Sequence, residues 1–181
     1  MINAKNSLLL IIDIQEKFRP VIFNFDEIIS NVVKLVKVFQ LLKIPILLSE
    51  QYPKGLGETV KEIKEELGEY DYIEKVCFDC FRNKDFLDLL ENKFSDKRYL
   101  VVCGIEAHVC VTQTVLSALS QGYKVHLVAN AVSSRKKVDY DIALRRMENE
   151  GAKLSSAEMV VFQMIEDSKD ENFKKISQII K

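Results

Sequence analysis

Residues 7–13 read SLLLIID, and this stretch decides the fold class of the chain. After Ser7, five consecutive Leu and Ile residues form a short apolar run that ends at the carboxylate of Asp13. We predict a first strand at residues 7–12, because such a run is typical of a strand that is buried on both faces of a parallel sheet. It is too short to span a membrane, and Asp13 interrupts it too early for a secretion signal.

The rest of the chain alternates between similar strands and amphipathic helices. We predict further strands at residues 45–49, 72–76, 98–103, 124–129 and 152–155, with Gly104 ending the fourth of the six. Helices are predicted between Asp26, as N-cap, and Pro45, then at residues 58–67, 83–94, 109–121, 138–150 and from 158 onward. This alternation predicts an α/β protein with a three-layer, Rossmann-like open sheet of about six mostly parallel strands. We expect a single domain over residues 1–181.

Composition excludes several classes of function. The 181 residues are 48% hydrophobic, and 26 basic residues balance 27 acidic ones to give a formal net charge of −1. This balance provides no basic surface for nucleic acid or an anionic membrane. No dinucleotide- or phosphate-binding glycine motif is present, so we expect no nucleotide cofactor. With no secretion signal, the four cysteines are expected to be reduced thiols in a cytoplasmic protein.

Three reactive residue types are expected at one edge of the predicted sheet. Asp13 closes the first strand, Lys75 lies near the end of the third, and Cys110 follows a short turn after the fourth. Open parallel sheets bind ligands at the carboxyl ends of their strands, where these three residues should meet. The sequence therefore indicates an acid, an amine and a thiol in one site.

Cys110 is a candidate nucleophile in this site. A thiol at a helix N-terminus experiences the positive end of the backbone dipole, and a nearby ammonium would further favour the thiolate. Asp13 could accept the thiol proton while Lys75 holds both groups in place. Each residue also has a plain structural alternative. Cys110 would be a small buried hydrophobe, Asp13 a cap for the next loop, and Lys75 a surface residue on an edge strand.

The remaining cysteines and histidines give weaker evidence for a functional site. Cys77 and Cys80 form one CxxC pair, which fits a thiol redox protein but lacks the usual Pro or Gly between the thiols. A structural zinc would need two further ligands that the sequence does not place nearby. His108 lies in the turn before Cys110 and could contact a substrate, whereas His126 alternates with apolar residues on a strand.

Several segments, in this order and spacing, resemble the isochorismatase-like cysteine hydrolases, and within them the isochorismatase domain-containing proteins. The similar segments are LLLIIDIQEKF (8–18), LLSEQYPKGLG (47–57), IEKVCF (73–78), VVCGIEAHVCV (101–111), residues 127–147 and residues 157–165.

The resemblance implies a catalytic triad at the three positions that the strand ends already indicated. Asp13, Lys75 and Cys110 match the family's Asp, Lys and Cys. The thiolate of such enzymes attacks a carbonyl or similar carbon, and backbone N–H groups, here those of Glu106 and Cys110, hold the oxyanion. A thioester forms and water releases it. The family's non-proline cis peptide maps to Ile105–Glu106.

The resemblance also has implications for metal binding and for the class of substrate. Nicotinamidases of this superfamily bind a metal through an Asp and nearby histidines after the second strand, and residues 49–57 contain no histidine here. We therefore expect no metal, and a small amide or related carbonyl substrate cleaved at a non-peptide C–N bond. Residues expected to line the pocket are Gln15, Phe18, Tyr52, Phe78 and His108.

A homo-oligomer is expected, partly from the resemblance and partly from the apolar helices near residues 138–165. Those helices carry Met147, Met159, Val160, Val161, Phe162 and Met164. The alternative is that this segment packs on its own sheet. The alternative function is a scaffold or interaction protein that keeps the fold without turnover.

Overall fold

One parallel sheet forms the centre of the computed structural model, which describes residues 2–165 and 167–181. Its order is β3-β2-β1-β4-β5-β6, and every pairing is parallel. The strands are β1 (Ser7–Ile12), β2 (Ile46–Gln51), β3 (Asp71–Lys75), β4 (Tyr99–Ile105), β5 (Lys124–Ser133) and β6 (Lys153–Ser155). The predicted α/β class is confirmed. Strand order reverses direction between β1 and β4, which is where open sheets of this kind bind ligands.

Helices cover both faces of the sheet. They are α1 (Phe25–Leu41), α2 (Pro53–Leu56), α3 (Lys61–Lys64), α4 (Lys84–Asn92), α5 (Thr112–Ser120), α6 (Lys137–Asn149), α7 (Ala157–Ile165) and α8 (Phe173–Ile180). One apolar cluster joins α1, α7 and α8 to the sheet, and a second joins α4, α5 and α6 to the opposite face. Alternate residues of β1 enter the two clusters, as a strand buried on both faces requires.

Several predicted boundaries were wrong. Asn24, not Asp26, precedes the first turn of α1, and α3 is shorter than the expected helix at 58–67. Strand β4 continues through Gly104, where we expected it to end. Gly104 has φ +130°, and a Cβ there would collide with the backbone of Ile12, so the close approach of β1 and β4 requires glycine.

The apolar segment near the C-terminus packs mainly on its own sheet. Met147, Val160, Val161 and Met164 are buried within the chain, whereas Met159 is exposed. This packing removes the sequence argument for an oligomer that we drew from these side chains. No helix in residues 2–165 and 167–181 is both long enough and apolar enough to cross a membrane.

Candidate active site

Asp13 places its carboxylate at the centre of the site. The residue follows β1 directly and has φ +55°, in the left-handed region that an aspartate seldom adopts. Its backbone N–H donates to the Ser49 carbonyl oxygen at 3.0 Å, and the Ser49 hydroxyl donates to Oδ1 at 2.8 Å. Only 1% of Asp13 is exposed. The end of β2 therefore fixes both the backbone and the carboxylate of Asp13.

Lys75 brings a buried ammonium to this carboxylate. It is the last residue of β3, and the parallel register places it beside Gln51, the last residue of β2. Its Nζ donates to Asp13 Oδ2 at 2.6 Å and to Gln51 Oε1 at 2.8 Å. The side chains of Lys75 and Asp13 are 0% and 1% exposed. Removing either partner would leave a buried charge uncompensated.

Cys110 lies in a π-helical turn, Ala107–Val111, that leads directly into α5. The Glu106 carbonyl accepts hydrogen bonds from the N–H groups of Val109 and Val111, and Cys110 lies between these two residues. Ile105–Glu106 is a cis peptide, which confirms that expectation. Cys110 is 6% exposed, and its thiol lies near enough to Asp13 and Lys75 for both charges to act on it.

The charges of the site differ from the sequence expectation. Burial and the charge of Asp13 raise the pKa of the Cys110 thiol, although Lys75 opposes them, and the raised pKa favours the neutral thiol. Burial also raises the pKa of Asp13, while Lys75 and Ser49 counteract it. For Lys75, burial would lower the pKa, but the charge of Asp13 contributes to an overall rise. The Lys75 ammonium favours the ionised form of Asp13, and this form can act as a base toward the thiol.

The five expected pocket residues have different surroundings. Gln15 is buried, its Nε2 donates to the carbonyls of Gln51 and Gly57, and its Oε1 accepts from Gln51 N–H, so backbone groups engage its amide. Phe18 is half-buried and packs against the core. Tyr52 and Phe78 are exposed beyond the ends of β2 and β3.

His108 is half-buried in the turn before Cys110, and its Nδ1 lies 2.9 Å from the Ser134 hydroxyl. Glu106, the residue before that turn, is buried and its carboxylate accepts from Arg135 Nε at 2.9 Å. These contacts tie the turn to the loop that follows β5.

Three further residues surround the triad positions and were not predicted as site residues from the sequence. Ser49 and Gln51 contact Asp13 and Lys75, and they lie at the carboxyl end of β2, so the rule that indicated Asp13 would also have found them. Cys80 is fully buried, with Sγ 3.9 Å from the Ser49 hydroxyl, and burial raises its pKa to about 12. No pattern in the sequence signals that last contact.

Cys77 and Cys80 are not joined by a disulfide. Both cysteines are unpaired, and Cys80 is buried whereas Cys77 is half-buried. Within residues 2–165 and 167–181, no group of three or more His, Cys, Asp or Glu side chains is placed to hold a metal ion.

The sheet is Rossmann-like, and a thiol, a carboxylate and an ammonium lie where its strand order reverses. This arrangement is typical of the class of α/β proteins that carry reactive groups at the ends of their strands. The chain belongs to the isochorismatase family, since the model named "Isochorismatase domain" matches residues 7–159. Membership in this family supports a hydrolase function for this chain.

Individual relatives agree with this membership over nearly the whole chain. Isochorismatase domain-containing protein 2 of Danio rerio is 40% identical over 179 residues, which is 99% of this chain and 89% of the relative. Isochorismatase family protein 1A of Dictyostelium discoideum is 39% identical and covers 97% of this chain and 86% of its own. A structure described as MAR1 ribonuclease from Caenorhabditis elegans has a TM-score of 0.93 at 38% identity, covering 99% of this chain and 91% of that chain.

Proposed function

We propose that this protein is a cysteine hydrolase acting on a small amide or related carbonyl compound, at a non-peptide C–N bond. Cys110 is the nucleophile, Asp13 the general base and Lys75 the cation that keeps Asp13 ionised. One observation carries the proposal: the ion pair between Lys75 Nζ and Asp13 Oδ2, at 2.6 Å, is fully buried, and both of its charges act on the Cys110 thiol.

In the first half of the reaction, Asp13 takes the thiol proton as Cys110 Sγ attacks the carbonyl carbon. The resulting oxyanion is held by the backbone N–H groups of Glu106 and Cys110. When the tetrahedral intermediate collapses, the C–N bond breaks and Asp13 gives its proton to the leaving nitrogen. The product of this half is an amine and a thioester on Cys110.

In the second half, water attacks the thioester and Asp13 accepts a proton from the water. The C–S bond breaks, the acid product leaves and the proton returns to Cys110 Sγ. Lys75 stays an ammonium throughout, so its charge offsets the carboxylate in each state in which Asp13 is ionised. The raised pKa of Asp13 suits this role, because a more basic carboxylate removes a thiol proton more easily.

One solved relative supports a nucleophile in this fold. YcaC from Pseudomonas aeruginosa, 27% identical with a TM-score of 0.91, is described with covalent acrylamide. Acrylamide is an electrophile that thiols attack, so the description fits a reactive thiol in that protein.

We propose a small molecule and not nucleic acid as the substrate. The net charge of −1 offers little attraction to a phosphate backbone. The structure described as MAR1 ribonuclease nevertheless makes RNA a necessary arm of any substrate screen. We also propose that the protein works in the cytoplasm, which fits its four unpaired cysteines.

The test is a hydrolysis screen over small amides, esters and RNA. We expect turnover of an amide or ester that Cys110→Ala abolishes. Cys103→Ala is the matched control, because Cys103 is also buried but its Sγ lies against the Leu10 carbonyl. Turnover that survives Cys110→Ala would refute the nucleophile, and no turnover on any arm would favour a non-catalytic scaffold.

We further propose that catalysis needs no metal, because a thiol with backbone oxyanion donors needs no Lewis acid. Dialysis against a strong chelator should leave activity within about twofold of its starting value, a change too small to reflect loss of a catalytic group. Activity that falls with bound zinc and returns when zinc is restored would contradict this.

A further inference from the structure

We propose that Gln51 is a positioning residue for the reaction, holding the Lys75 ammonium against Asp13 as an uncharged hydrogen-bond acceptor. The inference rests on the proposed function and extends it to a residue outside the triad. Lys75 Nζ has two acceptors in the structure, Asp13 Oδ2 at 2.6 Å and Gln51 Oε1 at 2.8 Å. Two of its three N–H donors are therefore committed, and their directions fix the ammonium.

The side chain of Gln51 is itself held in place. Its Nε2 donates to the Val76 carbonyl oxygen at 2.8 Å, so its amide cannot turn over without losing both this bond and the bond to Lys75. The bonds span the ends of two paired strands, because Gln51 is the register partner of Lys75.

The backbone of Gln51 is held as firmly as the side chain. Gln15 Oε1 accepts from Gln51 N–H at 2.8 Å, and Gln15 Nε2 donates to the Gln51 carbonyl at 3.0 Å. The two bonds form a closed pair between a side-chain amide and a backbone amide. We expected Gln15 in the pocket wall. Its amide instead fixes the backbone of Gln51, whose side chain binds Lys75.

The absence of charge on Gln51 matters for the chemistry. A buried ammonium gains most from charged acceptors, yet a second carboxylate here would share Lys75 with Asp13 and repel the charge that forms when the thiol ionises. A neutral amide satisfies the N–H donor without that repulsion. Asp13 and Lys75 then balance each other, and Asp13 remains the one carboxylate beside the thiol in the contacts described.

The experiment measures the rate at which acrylamide modifies Cys110 at pH 8, by mass spectrometry of the Cys110 peptide. This readout needs no substrate and no turnover. Gln51→Glu adds a negative charge beside Lys75, and we expect modification to slow about tenfold, the change that corresponds to one unit in the thiol pKa. Gln178→Glu, on the exposed side of α8, is the control and should change the rate by less than about twofold.

A second variant separates positioning from folding. Gln51→Met keeps the size of the side chain but removes the acceptor, so with a substrate in hand we expect kcat to fall about tenfold or more while KM changes by less than about threefold. Thermal melts followed by circular dichroism report whether each variant folds.

The outcomes separate this inference from the proposed function. An unchanged Cys110 modification rate in folded Gln51→Glu would overturn the positioning role of Gln51, even if Cys110→Ala abolished hydrolysis. A slowed rate would support it even if no substrate were found. Failure of both Gln51 variants to fold would also overturn it, since Gln51 would then be a structural residue of the β2–β3 edge.

Discussion

Asp13 adopts a backbone conformation that costs free energy in order to face Lys75 and Cys110. A non-glycine residue at φ +55° is disfavoured by about 1 to 3 kcal/mol unless its surroundings hold it there. Here the backbone and hydroxyl of Ser49 hold it from one side and Lys75 from another. The strain therefore lies where the proposed proton transfer takes place.

Replacing Asp13 with asparagine tests the proposed base. Asp13→Asn keeps the shape but cannot take the thiol proton, so we expect kcat/KM to fall at least about a hundredfold, a typical size for a lost general base. Asp26→Asn, which changes an exposed carboxylate paired with Arg19, should leave kcat/KM unchanged. A loss of less than about tenfold in Asp13→Asn would mean that another group takes the proton.

The buried thiol predicts a specific pH dependence for Cys110. Because burial raises its pKa, the thiolate fraction at neutral pH is small and grows about tenfold with each unit of pH. Iodoacetamide labelling of Cys110 should therefore accelerate about tenfold per unit between pH 7 and 9. Cys110 should also react ahead of the fully buried Cys80 and Cys103. A labelling rate that levels off below pH 8 would instead indicate a thiolate at neutral pH.

Among the elements, β4 depends on one glycine. Gly104→Ala should destabilise the protein by at least about 2 kcal/mol, because a Cβ there meets the backbone of Ile12 and the φ of +130° is itself unfavourable. Urea unfolding monitored by circular dichroism measures the change.

Gly122→Ala is the control for the backbone conformation alone. Gly122 also has a positive φ, +84°, but a Cβ added there meets nothing within 4 Å. We expect a loss of about 1 kcal/mol. Equal losses at the two positions would show that the approach of β1 and β4 is not what requires Gly104.

The elements also show what sequence patterns can and cannot predict. Strand β1 was predicted at its observed bounds because its apolar run is continuous and buried on both faces. Strand β4 was predicted to end too early, since glycine usually interrupts a strand and its role against Ile12 depends on a neighbouring strand. The N-cap of α1 was predicted at the wrong residue for a similar reason. Asn24 takes a left-handed conformation that no local pattern predicts.

The candidate site was predictable only in part. Strand ends alone suggested that Asp13, Lys75 and Cys110 would meet, and the structure brings them together. The raised pKa of Cys110 was not predicted, because the depth of burial depends on packing between distant segments. The strand-end rule also covers Gln51 and Ser49, but their contacts with Lys75 and Asp13 depend on strand register and were not predicted.

Over the whole molecule, the expected oligomer now rests on a different surface. Val138 and Ile142 are 58% and 54% exposed and lie four residues apart on α6, so they share one helical face. Light scattering should report a mass above the 20.8 kDa of one chain. Ile142→Lys should lower that mass if this face joins the copies, whereas Met159→Lys, at an exposed position on α7, should not. A monomer at micromolar concentration would contradict the expectation.

Lys75 lies on β3, which is an outer strand of the sheet and pairs with β2. Outer strands commonly separate from a sheet at a lower free energy than its interior strands. The proposed activity should therefore be lost at a lower denaturant concentration than the one that unfolds the whole protein. In mild denaturant, amide hydrogens of β3 would exchange with solvent sooner than those of β1, and activity would disappear while most of the sheet remained intact. A ligand bound where Cys110 meets the Asp13–Lys75 pair would slow that exchange, so the substrate would stabilise the outer strand of the sheet.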